Sequence, residues 1–261
     1  MNVFKELADE GELTADALRT LQIIDYGAQI KDAMGISVDD VEASETTIVT
    51  LLLDDSSSIE HAGNTRVLID GTNLTLKALK DSKQASGILM HVEALNKGTY
   101  SPYVLIDNIA PLTGTTFRPY GNTPLYDKAA IVLGRSLAKK KEFADNNVPT
   151  RTITVIITDG ADVGSSQHTP ATIKHVVDSM LRQEEHLILA MGIDDGQTNF
   201  RRIFAEMGIP DACILTPGNS PSEIRKCFQF VSQSAVRASQ NAAAFSNIKT
   251  GGFSALGGFG T

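Results

Sequence analysis

Asp54, Ser56 and Ser58 stand at alternate positions in LLLDDSSSIE, directly after an apolar run. Carboxylates and hydroxyls are hard oxygen donors. They suit Mg²⁺, Mn²⁺ or Ca²⁺ rather than zinc or copper. A second aspartate, Asp159, ends another apolar run in TITVIITDG. If both runs are central and adjacent, the two carboxylates share one edge. Close carboxylates repel, desolvation worsens the repulsion, and a divalent cation resolves it. Thr123, in GNTPLYD, offers a third hydroxyl at a turn leading into a helical pattern. Such a donor set nearly neutralises the ion yet leaves it electrophilic. Mg²⁺ prefers six oxygens, so a position remains for water or an incoming carboxylate.

The elements that must position these residues follow from hydrophobic pattern. Residues 46–53, TTIVTLLL, and 152–158, TITVIIT, are continuous apolar and β-branched runs, the pattern of strands buried on both faces. Shorter strands are expected at 88–94, 103–106, 186–192 and 212–215. Helices are expected at 14–31 (Leu18, Leu21, Ile24 and Ala28 on one face), 65–79, 127–143, 170–183, 199–207 and 222–240. Alternating strands and helices imply an α/β fold, a doubly wound, mostly parallel sheet flanked by helices. Ligands of such sheets bind beyond the strands' carboxyl ends, where Asp54 and Asp159 fall. Residues 1–45 read as an N-terminal helix and acidic linker, 46–240 as the domain, and 241–261 as a Gly/Phe-rich flexible tail. In that tail Phe253 and Phe259 would anchor any partner contact.

Composition narrows the function classes. The 261 residues carry a net charge of −8. That argues against nucleic acid and anionic membrane, whose binders rely on basic patches. No run approaches the ~20 apolar residues of a membrane span. The acidic start, MNVFKELADEGEL, lacks the order of a signal peptide. Cys213 and Cys227 form neither a disulfide framework nor a zinc site, so a cytoplasmic protein with reduced thiols is expected. The five histidines show no metal-ligand spacing. The chain has no phosphate-binding loop and no nucleophile elbow. A phosphatase of the haloacid-dehalogenase class needs a second Asp two residues after the first, and Ser56 stands there instead.

Asp54-x-Ser56-x-Ser58, then Thr123 in GNTPLYD, then Asp159 in TVIITDG, resembles the metal-ion-dependent adhesion site of von Willebrand factor A domains. The resemblance covers residues 46 to about 233. It departs from the family at Ser57, often Gly, and Ile59, often Met. It implies that Ser56, Ser58 and Thr123 ligate Mg²⁺ (or Mn²⁺ or Ca²⁺) directly, and that Asp54 and Asp159 do so directly or through water. It implies no catalysis. The implied function is that of an adaptor, binding an Asp or Glu of a protein partner through the ion. The ending FQFVSQSAVRASQ is similar to bacterial intracellular members linked to tellurium resistance or to AAA+ ATPases of the MoxR type, which points to a stress-system partner. Asp55 reads as a solvated or loop-bonding carboxylate, or as one tuning the site or binding a second ion, Asp162 as a turn or site-lining residue, and Arg118 and Tyr120 as candidate partner contacts or as residues that only pack or solvate their loop. Two alternatives stand beside this reading: a self-assembling protein joined through the metal site or the tail, and a metal-assisted hydrolase.

Overall fold

The computed structural model describes residues 3–23 and 32–256. Six strands form one sheet: β1 (Thr46–Leu53), β2 (Ile88–Ala94), β3 (Gly98–Leu105), β4 (Thr150–Thr158), β5 (His186–Gly192) and β6 (Ile214–Leu215). Their order is β3-β2-β1-β4-β5-β6. All neighbours run parallel except β2 and β3, which form an antiparallel hairpin. The expected doubly wound, mostly parallel α/β fold is what the chain adopts. Every residue of β1, β2 and β5 is buried, as the unbroken apolar run of β1 anticipated, although β2 carries His91 and Glu93 within it.

Preceding the sheet are α1 (Val3–Asp9) and α2 (Ala15–Gln22). The further helices are α3 (Ser57–His61), α4 (Thr65–Lys80), α5 (Leu125–Asp145), α6 (Pro170–Arg182), α7 (Phe200–Glu206), α8 (Pro221–Gln240) and α9 (Ala242–Gly251). One sheet face carries α4, α8 and α9, and the other carries α5 and α6 with α1 and α2 outside them. A polar knot fixes the centre of the second face. The Thr50 hydroxyl lies 2.8 Å from the Tyr103 hydroxyl and 3.0 Å from that of Ser136 on α5.

Helices α4 and α8 cross closely at Gly71. A Cβ there would fall inside the Phe228 ring. Gly71→Ala is therefore expected to destabilise the protein by about 1–3 kcal/mol, although Ala is the better helix former. A urea midpoint equal to or above wild type would contradict this.

The termini depart from expectation in two places and add one helix that was not expected. The described part of the expected helix at 14–31 ends at Gln22, and Ile24 and Ala28 lie outside the described residues. Helix α1 was not legible beforehand, yet Phe4 and Leu7 join the main core. The N-terminal segment is also tied to the domain by lysines from α5. Lys139 donates to the Ile36 carbonyl, Lys140 pairs with Glu12 and Glu185, and Lys141 pairs with Glu10. The expected flexible tail is structured through Leu256. Asn241 caps α9 by accepting the Ala244 amide, and Phe245, Ile248 and Phe253 are buried in the core. Three apolar anchors at helical spacing or just beyond it outweigh the Gly content. Phe259 lies outside the described residues.

Candidate metal centre

The chain runs from β1 to β2 and β3 on one side, then crosses to β4, β5 and β6 on the other. The order reverses between β1 and β4, the switch point at which open α/β sheets bind ligands. Register places Leu53 opposite Ile157, so Asp54 and Asp159 emerge side by side from the two central strands. Asp54 is fully buried. Its Oδ1 accepts the Ser56 amide at 2.8 Å, and its Oδ2 accepts the Thr158 hydroxyl at 2.6 Å and the Asp159 amide at 3.3 Å. Turning the chain back through Ser56 at once directs Ser56 and Ser58 to the same point.

The hydroxyls and the second carboxylate form a chain. Ser56 Oγ lies 2.8 Å from Ser58 Oγ, and Ser58 Oγ donates to Asp159 Oδ1 at 2.6 Å. Thr123 is brought in by a bridge to the loop after β4. Its amide donates to the Val163 carbonyl at 3.1 Å, and the Val163 amide donates back at 2.9 Å. A Cβ built on Gly160 would lie 3.5 Å from Thr123 Oγ1 and 3.8 Å from Ser58 Oγ, so both hydroxyls border the same glycine. Gly121 makes the approach to Thr123. Its φ of 78° is left-handed, and a side chain there would meet Asn96. All five residues singled out in sequence are thus gathered at one edge.

Burial disfavours charge here. It pushes the Asp54 carboxyl up, against hydrogen bonds from Ser56 and Thr158. Asp159 is pushed up to about 6, first by burial and then by the nearby Asp54 and Asp195, while the Ser58 bond opposes the rise. A cation would relieve that cost. Among the described residues no group of three or more His, Cys, Asp and Glu side chains is placed to hold a metal ion. A site here depends on the hydroxyls of Ser56, Ser58 and Thr123. The oxygen-only donor set fits a hard divalent ion.

Neighbouring residues lock the loops. Asp55 is buried and accepts the Asn96 amide at 2.7 Å and the Lys97 amide at 3.0 Å, which joins the loop after β1 to the β2–β3 turn. It is a loop-bonding residue. Asp162 accepts the Ser165 hydroxyl and the Tyr126 amide, as a turn residue would. Sequence reasoning assigned no role to Asp127. Its carboxylate accepts the amides of Ser166, Gln167 and His168, which ties the start of α5 to the loop after β4. The one signal was its place at the end of GNTPLYD. Thr158, the donor to Asp54, gave none, since a threonine in a strand is ordinary. Tyr120, three residues before Thr123, and Val163, its bridge partner, are 53% and 56% exposed, and Arg118 is exposed too.

No protein-family model and no curated protein matches this sequence. Solved structures do. One is a pilus adhesin. SpaC from Lactobacillus rhamnosus GG shares 13% identity over 75% of this chain and 30% of its own, with a TM-score of 0.53. A von Willebrand factor type A protein from Catenulispora acidiphila shares 16% identity over 75% of this chain and 43% of its own, at 0.45. The manganese-loaded TRAP protein of Plasmodium vivax shares 18% over 71% and 74%, at 0.42. Of these three only SpaC exceeds 0.5, and at that identity the likeness speaks to fold alone. This chain spans less than a third of SpaC and less than half of the Catenulispora protein. Among the described residues no helix is long and apolar enough to cross a membrane.

Proposed function

We propose that this chain is an interaction module of the von Willebrand factor A type. It would hold a divalent cation with Asp54, Ser56, Ser58, Thr123 and Asp159, and bind an Asp or Glu of a protein partner there. The observation that carries the reading is the hydrogen-bonded run from Ser56 through Ser58 to Asp159, set beside Asp54 at the sheet's switch point. When bound, the ion supplies an electrophilic position for a carboxylate oxygen. The chain's own residues do the rest. Asp54 fixes the turn that aims Ser56 and Ser58. The Thr123–Val163 bridge holds the third hydroxyl. Asp55 and Asp127 keep the surrounding loops in register. Exposed Tyr120 and Val163 offer apolar contact beside the site. The role is binding without turnover, and no hydrolysis of generic phosphate or ester substrates is expected.

Ser56→Ala and Thr123→Ala are expected to weaken Mn²⁺ binding roughly tenfold or more, ~1.4 kcal/mol, with an unchanged circular dichroism spectrum. EDTA should mimic both variants in any partner-binding assay. Metal-dependent hydrolysis lost in Asp54→Ala and Asp159→Ala would replace this reading with an enzymatic one. Unchanged Mn²⁺ affinity in both variants would remove it altogether.

A further inference from the structure

A cleft of about 440 Å³ opens between the β2–β3 hairpin and the first turns of α5. Glu93 and Thr99 line it from the strands, and Lys128, Ile131 and Arg135 from the helix. None of the five candidate metal ligands lines it. Its size falls within the ~300–1,000 Å³ of small-molecule sites.

A buried charged cluster forms part of its wall. Arg135 Nη1 donates to Glu93 Oε2 at 2.6 Å and lies 3.2 Å from His91 Nε2. The Thr99 hydroxyl donates to the same Oε2 at 2.9 Å. Glu93 Oε1 is held differently. Among the described residues it accepts no hydrogen bond, and the cation facing it, Lys128 Nζ, stands 3.6 Å away, beyond hydrogen-bond reach. Glu93 is 1% exposed, and a carboxylate so buried normally has donors on both oxygens. The under-satisfied oxygen and the loosely paired ammonium belong to residues that line the same cleft.

Both signs of charge meet there. Asp32 and Asp127 add two more carboxylates to the lining. A simple anion would face three carboxylates, and a simple cation would face Lys128 and Arg135. A molecule carrying both charges a short distance apart complements the pair of Glu93 Oε1 and Lys128. Ile131 offers apolar surface beside them.

We propose that this cleft is a second binding site, for a free α-amino acid. Its ammonium donates to Glu93 Oε1, its carboxylate takes Lys128, and its side chain lies toward Ile131. The site is separate from the metal centre and does not rest on the metal-centre reading.

The test is saturation-transfer NMR on the full chain, in EDTA at pH 7, with the common protein amino acids as probes. At least one should bind with a Kd below about 1 mM. Its two half-molecules, the amine without the carboxylate and the acid without the ammonium, should each bind at least about tenfold more weakly. For leucine these are 3-methylbutylamine and 4-methylpentanoate. Lys128→Met should weaken the amino acid about tenfold while Mn²⁺ affinity stays within about twofold, and Lys128→Arg should restore most of the loss. Absence of binding by every amino acid would show a cleft that holds water only and would overturn the inference. So would a half-molecule that binds as tightly as the whole, or Lys128→Met binding as wild type does. The half-molecule comparison needs no variant and decides the matter even if Lys128→Met fails to fold.

Discussion

Asp159→Asn is expected to make the metal-free protein more stable at pH 7 while removing its ability to hold a divalent ion. The Asp159 carboxyl titrates near 6 in the folded chain, against an ordinary value of 3.8, because it is buried and faces Asp54 and Asp195. The folded state therefore binds the proton more tightly than the unfolded state. The stability this contributes is complete below pH 3.8 and is lost as pH rises through about 6. At pH 7 the native carboxylate is charged and carries the full penalty, ~2 kcal/mol after allowing for partial solvent screening. Asparagine keeps an oxygen to accept the Ser58 hydroxyl and has no charge to bury. In EDTA at pH 7 the variant should unfold at higher urea than wild type, with a melting point raised on the order of 5 °C. At pH 4 the difference should shrink toward zero. Saturating Mg²⁺ should stabilise wild type and leave the variant unmoved. A variant less stable than wild type in EDTA at pH 7 would show that the carboxylate is held for structure. Asp54 would not serve this test. Its removal strands three buried donors, from Ser56, Thr158 and Asp159, at about 1–3 kcal/mol each.

Arg135→Met is expected to cost about 3–5 kcal/mol without touching the metal centre. Glu93 and Arg135 are 1% and 4% exposed, and Arg135 Nη1 donates to Glu93 Oε2 at 2.6 Å. Other groups near that carboxylate compensate less. His91 is held near 4 by burial and stays neutral at pH 7, Thr99 donates one hydroxyl, and Lys128 pairs with the other oxygen, Oε1, at the longer distance of 3.6 Å. Methionine would leave the carboxylate buried without its closest charged partner, held only by the longer Lys128 pair and the Thr99 hydroxyl. Glu93→Met combined with Arg135→Met should recover most of the loss, because both charges then vanish together. Urea denaturation of the single and double variants measures this. A single variant within about 1 kcal/mol of wild type, or a double variant no better than the single, would contradict it.

Much of the architecture was legible because physics wrote it locally. Strands β1 and β4 are buried on both faces, so an apolar run followed by Asp marks both the strand and its carboxyl end. Asp54 and Asp159 stood out for the same reason, since each directly follows its strand, whereas Ser56, Ser58 and Thr123 stood out by spacing and turn context. Less legible were residues whose role depends on distant partners. Lys139, Lys140 and Lys141 drew no reading from the sequence, yet they are buried and clamp the N-terminal segment through Ile36, Glu12 and Glu10. Helix α9 lies in a segment whose glycines suggested flexibility, and only the core shows what Phe245 and Ile248 pack against. Asp194 and Asp195 lie 35 residues beyond Asp159 and more in sequence, and only the strand order brings them to the same edge.

The most direct measurement is a calorimetric titration of Mn²⁺ into EDTA-stripped protein, for wild type, Ser58→Ala and Asp159→Asn, at pH 7 and pH 5. The account predicts one ion per chain for wild type, with affinity falling at pH 5 as protons compete for Asp159. It also predicts binding at least about tenfold weaker in Ser58→Ala and none in Asp159→Asn. Absence of binding to wild type, or binding indifferent to both substitutions, would contradict it.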